Sequence, residues 1–273
     1  MATTEFDDLA PAPAPAAERA RPDWGRWAPL AYLLALALAE ALTTLLIQPV
    51  GLVLHGLLLL GITAHAALEP DHARQRLLLA LTLAPLIRIL SLSLPLAGLA
   101  QIYWYAIVGA PLFVAAFFAV RASGYSAASI GLRVTRRGLP VQLLIGLTGL
   151  LFGFMEYFIL RPPALAPALG LQQIIVPAVI LTVFTGLLEE VVFRGLMQRA
   201  AGDSLGRWGV LYVALVFAVL HFGYKSPADV VFVLAVGLFF GYCVARGGSL
   251  LGVTLSHSLT NVVLFLIVPF LVK

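Results

Sequence analysis

The chain is expected to fold as an all-α, polytopic transmembrane helical bundle of about 8–9 spans, each the length a bilayer demands. Three observations lead there. Of its 273 residues, 61% are hydrophobic and only 11% are charged, against about a quarter charged in a soluble domain. Mean hydropathy is +1.00. Apolar runs of the roughly 20 residues needed to cross a bilayer recur along the whole sequence.

Residues 1–27 hold Glu5, Asp7, Asp8, Glu18 and Asp23, an Ala/Pro stretch, and no apolar run before Pro29. This segment is expected to be a disordered tail and not a secretory signal peptide. Nine apolar segments follow, at 28–47, 50–68, 77–100, 102–120, 140–160, 174–198, 208–222, 230–246 and 250–271. The third contains Pro85, Arg88 and Pro95, which predicts a break or re-entry, and the seventh is short. Eight spans is therefore the alternative count. The basic, Gly/Ser-containing stretch 121–139 divides N-terminal helices at 28–120 from C-terminal helices at 140–273, and the Pro-rich 161–170 is a second break.

Basic residues set the orientation, because Lys and Arg concentrate in cytoplasmic loops. With a cytoplasmic N-terminus and nine spans, Arg19, Arg21, Arg26, Arg74, Arg76, Arg121, Arg133, Arg136, Arg137, Arg199, Arg207 and Arg246 fall inside; Arg161, Lys225 and Lys273 fall outside. A bias of that size assigns the net charge of +4 to topology, so no nucleic-acid partner is expected. The lone Cys243 excludes an intramolecular disulfide and a cysteine-based metal cluster.

An ionisable residue in hydrocarbon costs a few kcal/mol or more and asks for a partner or a task. Glu189, Glu190, Arg194, His221, His257 and Asn261 put such residues on three C-terminal segments. Glu190 and Arg194 are i,i+4 with the acid first, the favourable order for an ion pair. Glu189 points about 100° away from that pair. A desolvated carboxylate with no paired cation holds protons more tightly than in water, as a general base near neutral pH must. His257 and Asn261, also i,i+4, present donors on one face.

Depths agree as well. At about 1.5 Å per residue, Glu189 lies roughly 15 Å in from position 199, His257 about 10 Å and Asn261 about 16 Å in from 250, and His221 about 21 Å in from 207. His221 fits this layer least well and needs a tilted helix or an inward-dipping loop. Such a set suits hydrolysis. Glu189 would take a proton from water, His221 would orient that water or shuttle the proton, and His257 with Asn261 would donate to the oxyanion.

These same residues carry a family resemblance. Glu189-Glu190-Val191-Val192-Phe193-Arg194 matches EExxxR, Phe217-Ala218-Val219-Leu220-His221 matches FxxxH, and His257-Ser258-Leu259-Thr260-Asn261 matches HxxxN. Three motifs in order on successive apolar segments resemble the CAAX-protease/bacteriocin-processing family of intramembrane proteases, over a core at about 174–268. Ile130-Gly131-Leu132-Arg133 is similar to a common lead-in of that family. The resemblance implies peptide-bond hydrolysis in the membrane, with Glu189 as catalytic glutamate, His221 as its partner, and His257 and Asn261 as the oxyanion site. It implies a peptide or lipidated-peptide substrate, of which a prenylated CAAX-like C-terminus is the best-known class. The family is often labelled metalloprotease. The chain has no HExxH and its His and carboxylates are spread over three segments, so no cofactor is favoured, although a divalent metal such as zinc stays open.

Elsewhere, Glu40 and His55 are expected to pair between the first two spans, and Arg88 to find Glu40 or Glu156. His65 is placed near the interface. Phe217 is expected to pack, as a wall of the site, and Thr254, Ser256, Ser258 and Thr260 to allow close helix packing. Two other functions remain open: a non-catalytic scaffold or bacteriocin-immunity protein that binds peptide, and a proton-coupled transporter. The latter is disfavoured because no inverted repeat with paired broken helices is visible. The expected location is a bacterial inner membrane, a reading supported by the Ala/Leu/Arg-rich composition.

Overall fold

The computed structural model describes residues 24–134 and 138–272. Most of the expected tail, together with Arg19, Arg21, Arg136, Arg137 and Lys273, lies outside the described residues. The tail expectation is corrected at its end, where Trp24–Trp27 form a 3-10 turn leading into the first helix. All regular structure among the described residues is helical. Among the described residues, eight helical stretches are long and apolar enough to cross a membrane. The longest, Leu171–Tyr224, has 54 residues and contains two of the nine expected segments.

The N-terminal half comprises α1 (Ala28–Ala41), α2 (Gln48–Leu68), α3 (His72–Leu81), α4 (Leu83–Ser93) and α5 (Gln101–Ala122). Pro49 starts α2, where its missing N–H costs nothing. The third span begins at His72, earlier than its apolar run, because Asp71 caps it by accepting from the Arg74 amide at 2.8 Å. The break expected there falls at Thr82, three residues before Pro85, and α4 ends at Ser93 ahead of Pro95, as proline geometry requires.

The C-terminal half comprises α6 (Leu139–Leu160), α7 (Leu171–Leu181), α8 (Leu188–Glu190), α9 (Gln198–Leu205), α10 (Gly209–Val219), α11 (Pro227–Gly247), α12 (Leu251–Val262) and α13 (Val268–Leu271). Gly206, at φ +57°, reverses the chain between α9 and α10. Phe193 consequently meets Phe217 across the hairpin, with ring centroids 4.9 Å apart.

The main core fastens the two halves together. Leu36, Ile62, Leu77 and Leu81 pack against Phe193, Leu196, Met197 and Ala200. Around it, Leu34, Phe118 and Leu144 are more than 60% exposed. Many large apolar side chains left outward in this way suit a hydrocarbon solvent, whereas a water-soluble monomer rarely exposes large apolar patches.

Helix α12 is threaded tightly between α6 and the α7–α8 turn, as the small residues of its sequence predict. Thr148 and Ser256 share a hydroxyl hydrogen bond of 2.8 Å. The Thr260 hydroxyl donates to the Ser256 carbonyl at 2.9 Å. Gly149 and Gly153 sit directly against the backbone of Ser256 and Thr260, and Gly186 against Ser258. Gly131 in the Ile130–Arg133 stretch holds φ +83° and accepts from the Leu250 amide at 2.9 Å. That bond ties the interhelical loop to the start of α12.

Arg76, Arg199 and Asp203 gather with Tyr125 at the end of the bundle that bears this loop. The Tyr125 hydroxyl donates to Asp203 at 2.7 Å. Burial first, and Asp203 next, push its pKa up to about 12.

Two outcomes follow from this packing. Gly149→Ala should destabilise the detergent-solubilised protein by about 1–3 kcal/mol by overpacking. Gly56→Ala, whose Cβ meets nothing, should be neutral or stabilising by up to about 1 kcal/mol; equal melting shifts for the two would contradict the α6–α12 contact. Because the Tyr125 phenol titrates later folded than unfolded, its stabilisation is complete below pH 10 and is lost as pH rises toward 12. The stability difference between wild type and Tyr125→Phe should therefore shrink over that range.

Candidate active site

The helix that bears Glu189 and Glu190 is not a regular α-helix. Thr182–Leu187 before them and Val191–Met197 after them are wound as π-helix, a rare geometry that recurs at functional sites. A third π-turn, Val263–Ile267, follows Asn261.

Glu190 is fully buried and is the hub of the site. Arg194 donates to its Oε1 at 3.0 Å, which realises the i,i+4 pair expected from spacing. His257 Nδ1 donates to the same oxygen at 2.8 Å, a contact between α8 and α12 that spacing could not reveal. With Nδ1 committed, His257 turns Nε2 toward Glu189, 3.9 Å from Oε2. An imidazole from α12 thus stands beside Glu189, a neighbour that spacing along its own helix does not show. The Glu189 side chain is 31% exposed, toward the cavities described below, while that of Glu190 is 0% exposed.

Asn261 Nδ2 donates to Thr185 Oγ1 at 2.8 Å, and the Thr185 hydroxyl donates to the Leu181 carbonyl. Thr185 therefore sets the Asn261 amide, a role invisible in a chain with many membrane threonines. His221 lies where α10 tightens into the 3-10 turn Leu220–Tyr224. Its Nδ1 donates to the Phe217 carbonyl at 2.8 Å, which leaves Nε2 as the outward nitrogen. Its ring lies over that of Phe217, at 4.6 Å between centroids. Phe217 is the expected wall. The Arg194 guanidinium lies 4.1 Å over its ring, and the His257 ring is 6.2 Å away, edge-on.

A chamber of about 70 Å³ brings Glu189, His221, His257 and Asn261 together, with Thr185 and Glu156 also lining it. Glu156 is thereby a residue the sequence reading put elsewhere. It stands in the chamber, whereas Arg88 contacts Glu40. A larger cavity of about 360 Å³ shares Glu189, His221 and Phe217 with the chamber and extends along α4 and α5. A third, of about 730 Å³, lies at the basic end and reaches Arg194 but not Glu189.

Catalytic zinc takes three protein ligands, and among the described residues no three His, Cys, Asp or Glu side chains are arranged to hold a metal ion. The donor set does not fit such a centre, since Glu190 already accepts from both Arg194 and His257 Nδ1. A carboxylate facing a cavity, two imidazoles with defined outward nitrogens and a fixed amide can activate water and polarise a carbonyl.

Residues 171–263 match the family model described as Type II CAAX prenyl endopeptidase Rce1-like. No curated protein and no solved structure matches the chain.

The two neighbouring glutamates should respond differently to neutralisation. Glu190→Gln leaves the Arg194 charge buried and unpaired and should cost about 3–5 kcal/mol. Glu189→Gln, open to the cavity, should change stability by less than about 1 kcal/mol. Thermal unfolding in detergent checks this, and similar melting points for both variants would contradict the hub role of Glu190.

Proposed function

With an Rce1-like domain at residues 171–263, we propose that this membrane protein is an intramembrane endopeptidase acting on a membrane-associated, CAAX-like prenylated peptide. The observation that carries the reading is the convergence of Glu189, His221, His257 and Asn261 on one chamber, from segments far apart in sequence.

In this mechanism Glu189 takes a proton from a water in the chamber, and the resulting hydroxide adds to the scissile carbonyl. His257, held through Nδ1 by Glu190, can carry a proton on Nε2 as well. It then donates to the developing oxyanion together with the second N–H of Asn261. Glu189 returns its proton to the leaving amine as the C–N bond breaks, with the outward Nε2 of His221 positioning the water. Arg194 acts through Glu190: its ion pair holds that carboxylate in place against His257, and so it is a positioning residue. Stabilising an oxyanion by one donor is worth about 3–4 kcal/mol, so truncation of either His257 or Asn261 is costly.

The basic end, with Arg76, Arg133, Arg199 and Arg207, is assigned to the cytoplasm by the positive-inside rule. The chamber then lies within the bilayer, and a lipidated substrate would reach it from the membrane through the 360 Å³ cavity.

Purified protein in detergent should cleave a farnesylated CAAX peptide. Glu189→Gln should lower kcat at least about 1,000-fold without unfolding, a size typical for loss of essential acid–base chemistry. Thr185→Val, which frees the Asn261 amide, should lower kcat by about tenfold. Undiminished cleavage by folded Glu189→Gln would sink the mechanism.

A further inference from the structure

The N-terminal helices contribute a charged cluster that the hydrolytic machinery does not use. Glu40 on α1, His55 on α2 and Arg88 on α4 meet in the membrane layer. His55 Nε2 lies 3.2 Å and Arg88 Nε 2.5 Å from Glu40 Oε1. Glu40 and His55 are wholly buried, while the Arg88 side chain keeps 14% of its surface exposed. None of these contacts is aligned as a hydrogen bond.

A purely structural clamp of three helices would be sealed on all sides, because an intramembrane charge is costly wherever it is open to apolar surroundings. Arg88 is not sealed. It lines the 360 Å³ cavity that Glu189 and His221 also line, and it is the sole cation among the described residues lining that cavity. Ser91, Gln101, Tyr105 and Tyr224 accompany it there, and apolar side chains such as Leu96, Val108, Leu112 and Phe184 line much of the remainder. Gly223 lies beside the guanidinium: a Cβ at that position would stand 3.4 Å from Arg88 Nη2, in ordinary contact.

Guanidinium chemistry then narrows the ligand. Glu40 occupies the Nε side, which leaves the end-on fork of Nη1 and Nη2, the arrangement that grips a carboxylate with two parallel hydrogen bonds. A cavity of this size suits a small ligand with an apolar body and one anionic end. Glu189, His221 and Phe217 line both this cavity and the chamber, so a peptide tail leaving the chamber enters the space that Arg88 lines.

We propose that Arg88, backed by Glu40 and His55, binds the C-terminal carboxylate of the substrate peptide and so restricts cleavage to bonds a few residues from a free C-terminus. This rests on the endopeptidase reading for the identity of the ligand, and assigns the N-terminal helices a share in specificity. Glu40 and His55 are positioning residues, and Arg88 is the group in contact with substrate.

The test is binding to full-length Glu189→Gln in detergent. Two fluorescent farnesylated peptides ending in Cys-Val-Ile-Met are compared, one a free acid and one a C-terminal amide. The acid should bind about ten- to a hundredfold more tightly. Arg88→Gln alone would leave Glu40 buried without its cation, so the double variant Glu40→Gln/Arg88→Gln keeps the cluster neutral; it should bind acid and amide alike. Arg88→Lys should recover part of the preference, which a merely structural role does not predict. Equal binding of acid and amide, no binding of either, or a preference that survives in the folded double variant would overturn the proposal.

Cleavage by the wild type separates this from the broader reading. Equal kcat/KM on acid and amide defeats the Arg88 site while the endopeptidase stands. Acid-selective binding with no cleavage of either peptide supports the Arg88 site and defeats the proposed hydrolysis of this substrate.

Discussion

The buried Glu190 carboxylate is the contact on which the rest of the site depends. It is reached by Arg194 from its own helix and by His257 from α12, and it lies in a layer where an unpaired charge is severely destabilising. Satisfying it forces α12 against α8, and that approach brings Asn261 to Thr185 and turns His257 Nε2 toward Glu189. The small residues of α6 and α12 are the steric counterpart of this electrostatic demand. Without Gly149 and Gly153 the helix bearing His257 could not sit where Glu190 requires it.

The π-turns that flank Glu189 and Glu190 show how the backbone accommodates the site. A regular helix repeats about every 3.6 residues and presents one narrow face. Widening it on both sides of the glutamates changes which side chains line up, so that Thr185, Glu189, Glu190 and Arg194 can address different partners. The same device appears at Leu42–Leu46, just after Glu40, where the second buried charge cluster forms. These π-wound segments thus occur where a polar group must be met inside an apolar bundle.

What could be read from the sequence was whatever periodicity and desolvation cost decide. Apolar runs announced the helices, and i,i+4 spacing announced the Glu190–Arg194 pair. Unpaired charges at similar depth announced the Glu40–His55 contact, and Arg88 settled on Glu40, one of the two acids open to it. What was not legible needed contacts between distant segments. The His257–Glu190 bond spans 67 residues and the Asn261–Thr185 bond spans 76; neither Thr185 nor Glu156 has a local pattern that distinguishes it. The third span was misplaced at its start because its first turn is polar, and only the Asp71 cap marks its beginning.

The central claim is that Glu189 activates water to cut a membrane-associated peptide. The most direct test compares protein termini across the proteome in cells producing wild type or Glu189→Gln at matched levels, both shown to be folded. New C-termini that depend on Glu189, a few residues from the original ends of membrane-associated proteins, are expected. Identical termini in the two populations would contradict it.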